Sequence, residues 1–216
     1  MNGREPLRVC VVTSNRADYG LLQPVMRAIN AEPALKLQTI VTGAHLSAAF
    51  GETWRSVEAD GFNIDARLDM QISGDDAASI TRSTGLLVQL AGDAFAQLKP
   101  DLLLVLGDRY EILAVALAAT IHRIPIAHLC GGDLTEGSFD DANRHAITKL
   151  SHLHFPSNEP AAARLVQMGE DPSRVHCVGS PGLDAIRTMK PVSREMRDGK
   201  LNVRGRHWHA LVTLHP

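Results

Sequence analysis

The chain has 216 residues, 44% of them apolar and 21% charged, with a formal net charge of −2. That is the balance of an ordinary globular protein with room for one large or two small domains. It argues against a nucleic-acid-binding surface, since no dense Lys/Arg run offsets the acidic balance, and no stretch reaches the roughly 18 apolar residues of a membrane helix. Cys10, Cys130 and Cys177 are odd in number and widely spaced, so neither a disulfide framework nor a C-x-x-C metal pair is expected. A reducing cytoplasm, with no signal peptide at the N-terminus, fits this pattern.

The first strand is Leu7–Thr13, apolar up to Thr13, and it runs into Ser14-Asn15-Arg16-Ala17-Asp18-Tyr19-Gly20. This loop stands where a dinucleotide fold carries G-x-G-x-x-G but lacks those glycines, so a dinucleotide is not supported. Arg16 instead offers a guanidinium fork beside a helix N-terminus, a combination suited to phosphate. A helix over Leu21–Ile29 and a second strand, Leu35–Val41, follow, and His45 sits just past that strand. The pattern then predicts a helix from about Ser47 to Asp60, an edge strand over Asn63–Leu68, and a long helix over Asp75–Leu98 that contains Gly85 and Gly92. Each glycine costs such a helix roughly 1 kcal/mol relative to Ala.

Leu102–Leu106 is too short for a helix and fits a strand buried on both faces. Asp108 and Arg109 follow its carboxyl end, and an Ala-rich helix spans Ile112–Ile121. Pro125–Leu129 is a second buried strand, ending in Cys130-Gly131-Gly132-Asp133. A helix is expected from Asp140 to about Ser151, a short strand at Leu153–Pro156, a helix at Glu159–Met168 and a strand at Val175–Val178. His145, His152 and His154 lack zinc-type spacing and read as structural. The strand–helix alternation implies an α/β fold, a doubly wound, Rossmann-like parallel sheet. We assign residues 1–187 to this domain, 188–208 to a basic linker with Pro191, Gly199 and Gly205, and 209–216 to the first strand of a second domain.

With strand 3 at one edge, followed by 2, 1, 4 and 5, the connections of strands 1 and 4 leave on opposite faces and open a crevice at their carboxyl ends. Arg16, His45, Asp108, Arg109, Cys130 and Asp133 all fall just past those ends, and Asp140 and Asp141 are placed to fold over the same opening. Cationic groups suit phosphate, and carboxylates in a partly dry cleft suit proton transfer. Each also has a plainer reading: Asp140 as a helix N-cap, Asp108 as a partner of Arg109, and Arg16 as a solvated loop residue.

The motifs Arg16-Ala17-Asp18-Tyr19-Gly20, Gly107-Asp108-Arg109-x-Glu111, Gly131-Gly132-Asp133 and Asp140-Asp141-x-x-Arg144-His145-Ala146-Ile147-Thr148-Lys149 resemble the hydrolysing UDP-N-acetylglucosamine 2-epimerases of sialic-acid and legionaminic-acid pathways. The resemblance runs from about Leu7 to Asp184 and resumes at Val212–Pro216. It implies the first half of a GT-B-type two-domain architecture, with a UDP-sugar in the cleft between domains and a homodimer or tetramer as the full-length form. The implied reaction removes the C2 proton, expels UDP from C1 and hydrates the resulting glycal, with no nicotinamide or metal. By position, Asp108 and Asp140 match carboxylates of proton transfer. Arg16 matches an arginine near the diphosphate and His215 a histidine that faces the nucleotide, while His45, Arg109 and Arg144 are further candidate substrate-binding residues. Better-known members carry Glu where this chain has Cys130, a thiol that does not ionise near neutral pH as a carboxylate does. Either Asp133, three residues on, takes over, or the substrate differs. Other expectations compatible with these motifs are a catalytically silent half-domain and a glycosyltransferase of the same architecture.

Overall fold

The computed structural model describes residues 5–70, 74–188, 191–201 and 212–213. Six parallel strands form one sheet: β1 (Leu7–Thr13), β2 (Leu35–Thr42), β3 (Ala66–Leu68), β4 (Leu102–Leu106), β5 (Ile126–Leu129) and β6 (Leu153–Phe155). Their order across the sheet is β3-β2-β1-β4-β5-β6, the doubly wound arrangement expected from the alternation of elements. Val9 pairs with Leu102 and Val11 with Leu104 at the central junction, so the chain reverses its winding between β1 and β4.

Alternation along each strand separates two cores. Cys10, Val12, Ile40, Leu103, Val105 and Ile126 face one side, which is covered by α3 (Ala77–Leu98), α4 (Tyr110–Ile121) and α5 (Asp140–Leu150). Val9, Val11, Val41, Leu104, Leu106 and Ala127 belong to the other core, with Leu22 and Met26 of α1 (Arg16–Ala31) and Val57 of α2 (Trp54–Ala59). α6 (Glu159–Gln167), α7 (Pro181–Thr188) and α8 (Arg194–Leu201) complete the helices among the described residues. The mid-helix glycines of α3 do not break it. Gly92 leaves room for the His122 ring, which a Cβ would approach at 3.4 Å.

Two local readings are corrected. The helix expected over 47–60 is one short 3-10 turn (Ala48–Phe50) followed by α2, because Gly51 (φ 82°) and Glu52 (φ 47°) turn the backbone left-handed and end helical propagation. The strand expected at 175–178 is a single bridge from Val175 to His154. Its partner β6 is three residues long and is followed by Pro156, which has no N–H to extend a ladder. Within the stretch assigned to the linker, Arg194–Leu201 forms α8. The expected strand at 209–216 lies outside the described residues except for Val212 and Thr213.

Candidate active site

The carboxyl ends of β1, β4 and β5 open onto one edge, and each delivers its polar residues there through a tight turn. After β1, Asn15 caps α1 by accepting from the backbone N–H of Ala17 (2.7 Å) and Asp18 (3.1 Å). Asp18 reaches back to Asn15 N at 3.2 Å, completing a capping box. The Asp18 carboxylate also accepts from Ser14 N (2.9 Å) and from the hydroxyls of Ser14 (2.8 Å) and Thr13. This web holds the loop rigid and leaves Arg16 exposed at the first residue of α1.

After β4, Gly107 (φ 79°) turns the chain and Asp108 and Arg109 follow. They do not pair with each other. The Arg109 guanidinium forks onto the Glu111 carboxylate, with Nη2–Oε1 at 2.7 Å and Nε–Oε2 at 3.1 Å. Glu111 is 0% exposed, so a buried anion aims a half-exposed cation at the edge. Asp108 is bound instead by Arg144 Nη2. Arg144, only 6% exposed, spends its other donors on the Asp133 carbonyl (2.9 Å), the Thr135 hydroxyl (2.8 Å) and, at longer range, Asp141 (3.5 Å).

After β5 come Cys130, itself left-handed (φ 60°), and the two glycines. At Gly132 (φ 84°) a Cβ would lie 2.5 Å from the Ala161 carbonyl of α6, so only glycine fits between strand end and helix. The Asp133 carboxylate accepts from Ser157 Oγ (3.1 Å) and Asn158 Nδ2 (3.0 Å). Burial pushes the Cys130 thiol up to about 11, and the neighbouring Asp133 charge adds to the shift. A thiol so shifted stays protonated at neutral pH. Asp140 does not cap α5. Phe139 holds the cap position, and Asp140 is the first helical residue, its carboxylate accepting from Ser138 Oγ at 3.0 Å. Asp141 accepts from Thr135 N at 2.8 Å.

The structure therefore gathers Asp108, Asp133 and Arg144 into one hydrogen-bonded cluster, places Asp140 at the start of the helix that carries Arg144, and leaves Arg16 and Arg109 as half- or fully exposed cations. His45 is fully buried, with Nε2 3.0 Å from Thr13 Oγ1 and Nδ1 2.8 Å from Thr53 Oγ1, and props the loop. His215 lies outside the described residues. Sequence reasoning missed Asp18, Glu111, Thr135 and His128 as working parts. A polar residue inside an apolar run is the signal that marks Glu111 and His128. A cavity of about 350 Å³ lies along one face of the sheet, among Val9, Leu104, Ala127, Leu129 and Phe155. Its lining is apolar except for Asp184 and offers no cation to a phosphate.

Burial lowers the pKa of His128 to about 4, and burial likewise lowers those of His45 and His154. Between pH 6.5 and 4 the unfolded chain binds a proton at His128 that the folded chain refuses, so stability rises with pH through that window. His128 alone is expected to contribute roughly 3 kcal/mol of acid lability. Urea denaturation at pH 7.5 and 4.5 measures it, and His128→Gln is expected to flatten the difference.

The sequence family described as UDP-N-acetylglucosamine 2-epimerase matches residues 27–216. The chain is 40% identical over 209 residues to GDP/UDP-N,N'-diacetylbacillosamine 2-epimerase (hydrolyzing) of Campylobacter jejuni, covering 97% of this chain and 54% of that protein. It is 38% identical to UDP-N,N'-diacetylbacillosamine 2-epimerase (hydrolyzing) of Legionella pneumophila, covering 88% of this chain and 50% of that one. The fold superimposes on UDP-GlcNAc 2-epimerase from Neisseria meningitidis bound to UDP-GlcNAc with a TM-score of 0.74 at 21% identity, over 92% of this chain and 50% of that one. The chain spans about half the length of the curated relatives it matches. With its doubly wound sheet and the match over residues 27–216, the chain belongs to the UDP-N-acetylglucosamine 2-epimerase family.

Proposed function

We propose that the protein carrying this domain is a hydrolysing UDP-sugar 2-epimerase that acts on a UDP-2,4-diacetamido-trideoxy sugar or on UDP-N-acetylglucosamine. The observation that carries this reading is the pairing of Asp108 with Arg144, which also holds the Asp133 carbonyl, at the strand edge that carries the exposed Arg16 and the half-exposed Arg109. A carboxylate takes the C2 proton, and the C2–H electrons form the C1–C2 double bond. The C1–O bond breaks with its electron pair leaving on UDP, whose diphosphate charge Arg16 and Arg109 neutralise. Water then adds, its oxygen to C1 and a proton to C2 from the opposite face, and a free mannosamine-type sugar is released. Asp108 and Asp140 are the proposed proton carriers, and Asp133, oriented by Ser157 and Asn158, serves where the Cys130 thiol is unable to. Arg144 acts by holding Asp108.

His215 is proposed to face the nucleotide from a second domain beginning near residue 209, beyond a linker at 188–208. This domain alone supplies one wall of the cleft and is proposed to be inactive without the other. A homo-oligomeric, cytoplasmic full-length enzyme belongs to the same reading, the second point supported by three free cysteines. Among the two substrates the diacetamido sugar is favoured by the relatives at 40% and 38% identity.

The test is UDP release by the full-length protein from each sugar nucleotide. Faster turnover of the 2,4-diacetamido substrate, with the free 2-epimer as product, is expected. Absence of UDP release from both, or transfer of the sugar to an acceptor other than water, overturns the reading.

A further inference from the structure

His128 joins the segments of the site although it faces no solvent. It lies in β5 at 0% exposure, between Ala127 and Leu129. Its Nε2 is 2.7 Å from the Gly107 carbonyl. A carbonyl only accepts, so Nε2 carries the proton and Nδ1 is left as an acceptor. The Thr148 hydroxyl, 3.2 Å from Nδ1, donates to it. Gly107 is also held on its other side, its N–H donating to the Leu129 carbonyl at 3.0 Å. With both backbone groups bound, the left-handed turn before Asp108 has no freedom to swing. Thr148 in turn sits four residues after Arg144 on α5, one helical turn further along the same face.

The first glycine of Gly131-Gly132 exists for this contact. A Cβ at Gly131 would stand 2.9 Å from His128 Nδ1 and 3.0 Å from Thr148 Oγ1, closer than side chains pack. Three features therefore converge on one imidazole: the turn after β4, the helix that bears Asp140 and Arg144, and, in the loop after β5, a glycine that clears its space.

We infer that His128 is a positioning residue of the proton-transfer site, clamping the Gly107–Asp108 turn to α5 through Thr148 and so keeping Asp108 in register with Arg144. Its catalytic consequence rests on the epimerase reading proposed above, while the clamp itself does not. In the full-length protein, His128→Met fills the volume without a donor, and His128→Gln restores an amide N–H at similar reach. A misplacement of Asp108 on the scale of an ångström costs on the order of 100-fold. For His128→Met we expect kcat for UDP release to fall by about 30-fold or more with KM within about threefold, and His128→Gln to recover most of that loss. Thr148→Val, a milder change that keeps the fold, is expected to lower kcat by about fivefold.

Amide spectra of Gly107 and Asp108 provide a readout independent of turnover. They are expected to shift in His128→Met and Thr148→Val and to return toward wild type in His128→Gln. Unshifted resonances, or equal kcat in the Met and Gln variants, overturn the inference. If the wild-type protein releases no UDP at all, the functional reading fails, and the amide spectra still decide the clamp.

Discussion

Asp108→Asn in the full-length protein is expected to slow UDP release by at least about 100-fold, the loss typical of removing a general acid or base. The substitution keeps the shape and leaves an oxygen that still accepts from Arg144, so the fold and the binding of UDP are expected to persist. What it removes is the capacity to take and return a proton. Initial rates of UDP release at saturating substrate, with UDP affinity measured alongside, separate the two. A variant whose rate stays within threefold of wild type takes Asp108 out of proton transfer. Asp140→Asn and Asp133→Asn under the same assay then apportion the remaining roles, with the double variants showing which carboxylates act as a pair.

The second large effect is on stability. Arg144→Met is expected to cost about 3 kcal/mol, because removing one partner of a buried ion pair leaves the other without compensation. Here the loss is wider than one pair. The Asp133 carbonyl, the Thr135 hydroxyl and the Asp108 carboxylate all give up a donor together. Asp108 retains partial access to water, which keeps the cost from rising further. Equilibrium urea denaturation at pH 7.5 measures the change. Adding Asp108→Asn to Arg144→Met is expected to cost less than the sum of the single variants, since the second change removes the stranded charge. Strict additivity would mean that the two residues do not work as a unit. Arg144→Met is also expected to lower turnover, through the release of Asp108 rather than through lost ligand contact.

Much of this site could be read from the order of residues along the chain. Leu102–Leu106 and the apolar run ending at Leu129 announce buried strands, and the helices between them force parallel pairing with right-handed crossovers. From that alone Asp108, Arg109 and Asp133 had to emerge at one edge. Arg16 followed from the same logic, as a loop residue after the first strand beside the start of a helix. The misreadings arose where one residue's backbone outweighs a pattern. Glu52 adopts a left-handed conformation that no periodicity reveals, and the helix expected through it is interrupted. The burial of His45 was equally hidden, since it is the 3-10 turn that sets its ring between Thr13 and Thr53.

Partner choice was beyond the reach of the sequence. Asp108 has Arg109 beside it and two further arginines within the motif set, and chain proximity favours Arg109. Glu111, a buried carboxylate in an apolar helix, claims that guanidinium instead, because a desolvated anion gains more from a cation than a half-exposed one does. Asp108 is then left to Arg144, 36 residues further on. Periodicity, strand length and turn chemistry, which are local quantities, determined the sheet, its winding and the edge where the site lies. The pairings that aim each charge depend on which groups are buried together, and burial is a property of the packed tertiary structure alone.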